Sequence, residues 1–442
     1  MLKRIHGRPD PGKACVKLRD AQYPQPFAAG LEYSSPARGT WNIVHTGMLL
    51  PESHQIYVCS AGCLRGVILT AAEMGDMKRF STIAVRENNV LEGDMEELLI
   101  EGVTDILNRL PAHPRAVLLF TACIHYFMGT DLPMVYEELR RRFPDVDFAE
   151  CYMDPIMRKS GLTAEQSCRK QLYSFLKPQP PEEKAANIIG SNLSLLESSD
   201  IVQLLHQAGW KLREIPYCRT YEEYQEMARG CLNIYYDPIA GIAAKALEQR
   251  LGQKALYLPV SYDYEEIRGC LNQLCKAIGF PASAYTGEIA ACEAALAETK
   301  ALIGQTPLAL DYSLTFRPFS LARLLLTHGF CLTRIYADTV SEEDAGDFHW
   351  LQQHAPELEL YATKHANMRL LERHASEKFL ALGQKAAYFN ATPYFVNFVE
   401  TGGLYGFDGI LQLAARMREA FQIPKDTKKL VQQKGWGCNC CL

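Results

Sequence analysis

Short runs that are apolar throughout recur along the chain, each followed by a turn, a stretch with helical spacing of its apolar residues, and a further apolar run. RAVLLF (115–120) precedes LPMVYEELRRRFP (132–144), AANIIGS (185–191) precedes SDIVQLLHQAGW (199–210) and KLREI, and PLALDYS (307–313) precedes SLARLLLTHGF (320–330) and CLTRIYA. Two more copies are QIYVCSAGC (55–63) feeding LRGVILTAAEM, and LNIYYDP (232–238) feeding IAGIAAKALEQRLG and then KALYLPV. A strand with one face in water alternates apolar and polar residues. Uninterrupted apolar strands need cover on both faces, so their alternation with helices predicts parallel sheets flanked by helices.

The units fall into three sets, separated by the polar, proline-rich KPQPPEEK (177–184) and by a helix-rich stretch ending in ETKALIGQ (298–305). The chain therefore reads as α/β, with three Rossmann-like domains: residues 1–180, residues 185–300, and residues 305–442 with a helical tail. In sheets of this kind ligands sit beyond the carboxyl ends of the strands. That rule directs attention to Cys59, Cys63, Cys123, Asp237 and Tyr312, each just after or at the end of an apolar run.

Composition narrows the partners. With 442 residues, 48% of them apolar and 22% charged, the chain has ordinary globular content and room for two to four cores. A formal charge of −5 offers no basic field for nucleic acid or an anionic membrane, which leaves small molecules and proteins. The opening MLKRIHGRPDPGKAC lacks an apolar signal core, and no stretch reaches about 18 uncharged apolar residues, so a cytoplasmic location is expected. In a reducing compartment fifteen irregularly spaced cysteines are not a disulfide framework. Some of these thiols are expected to bind metal and the others to serve as small buried apolar residues.

Cys15 lies in a Pro/Gly-rich loop, while Cys63 and Cys123 each follow a predicted strand and open a helix, where backbone N–H groups favour a thiolate. Their spacing matches neither the compact ferredoxin runs nor a zinc CxxC pair, so soft-metal ligands and buried core residues both remain open. Cys59, four residues before Cys63, is a fourth candidate ligand or a packed strand residue. Asp237 is a candidate catalytic proton donor or a turn-former before Pro238, His125, two residues after Cys123, is a candidate neighbour of a bound cluster or a helix cap, and His45 is a candidate for the face that meets an electron donor. Cys438, Cys440 and Cys441 crowd the end of the chain, as soft-metal or disulfide-exchanging thiols or as a partner-facing tail. No GxGxxG follows a predicted strand and no GxxxxGK[ST] occurs, so reducing power is expected to come from another protein.

Several segments, in order, resemble nitrogenase component 1 type oxidoreductases. They are Cys15, NIVHTG (42–47) and GC (62–63); ENNVLEGDMEELLIEGVTDIL (87–107); VLLFTACIHYFMGTDLPMVYEEL (117–139); ANIIGS (186–191); LYLPVSYDYEE (256–266); and GLYGFDGILQLAARM (403–417). That superfamily includes the nitrogenase chains, dark-operative protochlorophyllide and chlorophyllide reductases, cofactor-assembly scaffolds and the nickel-tetrapyrrole cyclase component. The resemblance implies that Cys15, Cys63 and Cys123 ligate an iron–sulfur cluster between subunits, [4Fe-4S] or [8Fe-7S]. It also implies an ATP-dependent iron protein as electron donor, and a homodimer or an α2β2 assembly with a paralogous component 1 chain. Two departures bear on the substrate. Tyr235, Tyr236 and Asp237 stand where nitrogenase's catalytic chain has a cofactor-anchoring cysteine, and Tyr405 stands where it has a histidine. No iron–molybdenum cofactor is therefore expected, and an unsaturated or tetrapyrrole-like small molecule is the expected substrate. A scaffold for metallocofactor assembly and a non-catalytic homologue are the alternatives.

Overall fold

A computed structural model describes residues 11–28, 30, 43–153, 161–373 and 378–427. Their strands are β1 (Cys15–Lys17), β2 (Ser53–Ser60), β3 (Phe80–Val85), β4 (Ala116–Thr121), β5 (Asp147–Tyr152), β6 (Ala185–Ile188) and β7 (Lys211–Glu214). There follow β8 (Leu232–Tyr235), β9 (Lys254–Tyr257), β10 (Leu308–Asp311), β11 (Leu332–Tyr336), β12 (Glu359–Tyr361), β13 (Leu380–Leu382) and β14 (Phe395–Val396). The architecture is α/β, as the alternating runs predict. The described residues divide into two compact units, one drawn from 40–194 and 205–259, the other from 1–39, 195–204 and 260–442.

The first unit holds two four-stranded parallel sheets, ordered β3-β2-β4-β5 and β7-β6-β8-β9. Every residue of β4 is buried, because helices cover both faces of its sheet. On one face Val117 and Leu119 pack with Leu99 and Val103 of the helix Met95–Arg109 and Val135 of the helix Leu132–Arg142. On the other, Leu118 and Phe120 join Tyr57, Leu64 and Leu172, with the Tyr57 and Phe120 rings stacked at 4.2 Å. Each such large side chain taken from water contributes roughly 1.5–3 kcal/mol, so the strand is held from both sides.

The second unit holds a six-stranded sheet ordered β1-β12-β11-β10-β13-β14. Its five later strands run parallel, and β1 closes the edge antiparallel, with Cys15 level with Tyr361. Here the structure differs from the sequence expectation, which grouped Cys15 with residues 1–180. A three-residue strand whose partner lies at the far end of the chain leaves no local signal. Likewise, the proline-rich segment 177–184 stands between the two sheets of one unit.

All three sheets have a strand whose two neighbours are reached in opposite directions: β2 between β3 and β4, β6 between β7 and β8, β10 between β11 and β13. A crevice forms outside the carboxyl ends at such a reversal. The crevices are thus flanked by the residues after β2 and β4, after β6 and β8, and after β10 and β13. Among the described residues no helix is long and apolar enough to cross a membrane.

Candidate functional site

The β2/β4 crevice carries the thiols. Pairing runs from Ser53 opposite Ala116 to Tyr57 opposite Phe120, and the same offset sets Ser60 level with Cys123. Adjacent strands lie about 4.8 Å apart, so Cys123 and the start of the helix after β2 flank one opening. That helix, Ala61–Glu73, buries Leu64, Val67 and Ala71 against the sheet, and Cys63, one residue off this stripe, is exposed. The Ser60 hydroxyl donates to Cys63 Sγ at 3.6 Å and lies 4.0 Å from Cys59 Sγ. Cys59 itself is buried, and burial, then the neighbouring Cys63 thiol, pushes its thiol up to about 12.

Cys123 is partly exposed and opens a single helical turn, Cys123–Phe127, ended by Gly129 with φ 67°. The helical segment expected at 132–144 forms as Leu132–Arg142, so no long helix starts at Cys123, whereas Cys63 stands in the first turn of the 13-residue helix Ala61–Glu73. His125 turns inward. Its Nδ1 lies 3.2 Å from both the amide N and the carbonyl O of Ala122, capping the turn, and burial holds its pKa below the usual histidine range. Its Nε2 is buried with no partner among the described residues. Tyr126, Phe127 and Met128 are 46%, 64% and 36% exposed, an apolar edge directly beside Cys123 that sequence reasoning passed over. The run HYFM was its visible signal, since three large apolar residues in a row cannot all face one core.

Cys15 belongs to the other unit, half-buried on β1. Burial raises its thiol pKa, a hydrogen bond with Tyr361 opposing it. The remaining described cysteines are a poorer donor set. Cys151 and Cys168 are fully buried, with burial driving the Cys151 thiol well above its usual range, Cys270, Cys275 and Cys292 are buried too, and Cys218, Cys231 and Cys331 are partly exposed, the first two with their thiols on the backbone carbonyls of Glu214 and Ala185. Cys438, Cys440 and Cys441 lie outside the described residues. No cluster of three or more His, Cys, Asp or Glu that could hold a metal ion occurs among the described residues.

At the β6/β8 crevice Asp237 is buried, and its Oδ1 accepts the Ile239 N–H at 3.0 Å, capping the turn that Pro238 starts. Tyr236 is buried and donates its hydroxyl to Ser191 Oγ at 2.7 Å. Tyr405, in the other unit, is buried with its hydroxyl hydrogen-bonded to the Cys270 thiol. Both tyrosines are tied into packed surroundings. Tyr312 follows β10, and its amide donates to Tyr336 O at 3.0 Å, which prolongs the sheet.

The family model for nitrogenase component 1 type oxidoreductases matches residues 46–422. The chain belongs to that family. Cys59, Cys63 and Cys123 lie inside the matched span, and Cys15 precedes it. Among solved structures, "Nitrogenase Cp1 at pH 6.5" superposes with a TM-score of 0.65 at 12% identity, covering 92% of this chain and 95% of its own. "Nitrogenase Cp1 at pH 5" gives 0.57 at 14% identity, covering 92% and 94%. At such identity these likenesses establish the fold. No curated protein sequence matches the chain.

Proposed function

We propose that this oxidoreductase is a nitrogenase-like component 1 reductase. In this reading it takes single electrons from an ATP-dependent iron protein through an iron–sulfur cluster shared between subunits and passes them to an unsaturated or tetrapyrrole-like substrate. The observation that carries the reading is the pair Cys63 and Cys123: an exposed and a partly exposed thiol follow the two strands that flank one switch-point crevice, and the other partly exposed cysteines, Cys15, Cys218, Cys231 and Cys331, do not follow those strands. That donor set fits an iron–sulfur cluster, which needs soft thiolates reachable from outside a packed core. Cys63 and Cys123 would hold the cluster, with Cys59 as the reserve thiol, and Cys15 is a further ligand on the strength of the family resemblance alone.

Bound there, the cluster supplies one-electron storage at low potential. Two thiols from one crevice leave a cluster open, so the remaining ligands come from outside that crevice, and a second subunit supplies them in a homodimer or an α2β2 assembly with a paralogous chain. Cys59 and Cys151 are buried in one apolar core. Asp237, at the end of β8, is the candidate proton donor. Tyr236 and Tyr405, engaged with Ser191 and Cys270, offer no free ligand for an iron–molybdenum cofactor.

The test is anaerobic purification with iron and sulfide counts per chain, EPR of the reduced protein, and turnover assays with an iron protein and ATP. Cluster signals and ATP-dependent turnover support the reading. Turnover with NADH alone, stoichiometric molybdenum, or an iron content unchanged in Cys123→Ala refutes it. A chain that binds a cluster and releases a metallocofactor to another protein, without reducing a substrate, is an assembly scaffold instead.

A further inference from the structure

The Cys59–Cys63 pair has a geometry that cluster ligation does not use. β2 ends at Ser60 and the chain turns directly into the helix Ala61–Glu73, so residues 59 and 63 bring their sulfurs to the same hydroxyl: Ser60 Oγ is 3.6 Å from Cys63 Sγ and 4.0 Å from Cys59 Sγ. One thiol is exposed and the other is 2% exposed. This is the arrangement of an attacking thiol at the surface with a resolving thiol behind it. Cys63 lies in the first turn of its helix, where the backbone N–H has no intrahelical partner, so the approach a disulfide requires breaks no helical hydrogen bond donated by Cys63.

We propose that Cys59 and Cys63 form a dithiol site that exchanges with small-molecule disulfides and closes to an intramolecular disulfide, withdrawing Cys63 from metal ligation. The Cys63 thiolate attacks a low-molecular-weight disulfide such as glutathione disulfide, forming a mixed disulfide and releasing one glutathione thiolate. Cys59 loses its proton to solvent or to the released thiolate and attacks Cys63 Sγ, and the second glutathione leaves. Two protein thiols are oxidised, one glutathione disulfide is reduced to two thiols, and the balance closes. Cys151 and Cys168 are also in contact, but both are fully buried and present no thiol to a reagent in solution. Accessibility of one partner singles out Cys59–Cys63.

The exchange is a property of the chain itself, and its consequence for ligation rests on the cluster reading above. The experiment incubates metal-free protein, prepared anaerobically, with glutathione disulfide and glutathione at fixed ratios, quenches with an alkylating reagent, and maps the peptides by mass spectrometry. Wild type should yield a Cys59–Cys63 disulfide with little glutathione adduct. Cys59→Ser should hold the adduct on Cys63 at least about tenfold longer, since its resolving thiol is gone. Cys63→Ser, a change at an exposed position, should leave Cys59 unmodified. Adducts of equal lifetime in wild type and Cys59→Ser, or Cys63 unmodified throughout, overturn the proposal. A second arm adds iron and sulfide before and after oxidation. Uptake by the reduced protein alone, restored by dithiothreitol, supports the withdrawal of Cys63, and equal uptake by both forms overturns it. No uptake by either form refutes the cluster reading instead, and the peptide maps then decide the dithiol proposal alone.

Discussion

The carboxylate of Asp200 is built into the start of a helix, and pH should reveal it. Its Oδ2 accepts the Asp408 N–H at 3.0 Å, at the mouth of the 17-residue helix Gly406–Gln422. Gly406 takes φ 73°, and a Cβ there would stand 2.2 Å from Oδ2, so the chain is shaped around this oxygen. Burial, opposed by the Asp408 amide and reinforced by the Asp408 carboxylate, raises the Asp200 pKa from 3.8 to about 6. A carboxyl raised on folding binds its proton more tightly when folded, so it costs stability as pH rises through the folded value and returns it on acidification. Between pH 7 and pH 5 the folded state gains about 1.3 kcal/mol from Asp200 while an unfolded carboxyl at 3.8 gains almost nothing, by the linkage relation. Amide hydrogen exchange on peptides covering 406–422, corrected for intrinsic rates, should show protection rising about tenfold over that interval. Asp200→Asn, uncharged throughout, should show no such component. A pH-independent wild type, or a variant that keeps the increment, would refute the assignment of the shift to Asp200.

Three further outcomes follow from the packing. Gly383→Ala, at φ 112° with Asp311 Oδ2 2.3 Å from the added carbon, should cost about 3 kcal/mol or more in urea unfolding of the second unit, because it strains the backbone and displaces a buried carboxylate held by Ala386 N at 2.7 Å and Ser313 N at 2.8 Å. Arg317→Leu should cost about 3–5 kcal/mol in the same assay, since Asp344, paired with Arg317 at 2.7 Å, would be left as a buried charge without a cation, while Asp347 keeps Arg323 at 3.0 Å. Cys123→Ala should remove most of the iron from anaerobically purified protein while leaving the far-UV circular dichroism unchanged, and iron retained at the wild-type level would exclude Cys123 as a ligand.

Long, uniformly apolar strands are legible in the amino-acid sequence alone. RAVLLF holds all of β4 but its last residue, Thr121, AANIIGS contains β6, PLALDYS contains β10, and the helical segments between them fall where their periodicity places them. These elements bury both faces, so composition alone is a sufficient signal. What escapes are pieces whose order is set by distant partners. β1, β12 and β13 have three residues each and β14 two, too short for a period, and β1 exists because β12 offers it an edge. The turn after Cys123 escapes for a different reason: VLLFTACIHYFMGTD reads as strand then helix, and Gly129 in the left-handed region ends the helix after one turn.

The cysteines show where sequence reading gains and loses its hold. Position after a strand brings Cys59, Cys63 and Cys123 to the edge of a sheet, but it cannot say which sulfur meets solvent, because that depends on the face each residue takes. For Cys63 the answer is written locally: Leu64, Val67 and Ala71 mark the buried stripe, and a residue one step before it is rotated about 100° away. For Cys59 the opposite answer is equally local, since it stands one residue before the end of a strand buried on both faces and follows the apolar Ile56, Tyr57 and Val58, and 2% exposure follows. Together the two patterns predict an exposed thiol beside a buried one. For Cys15 no such reading exists, because its surroundings are Tyr361, Glu359 and Arg334, all contributed by strands more than three hundred residues later. Whether a cysteine is a ligand or a core residue is therefore decided within a strand–turn–helix unit when its neighbours are local, and only by the assembled sheet when they are not.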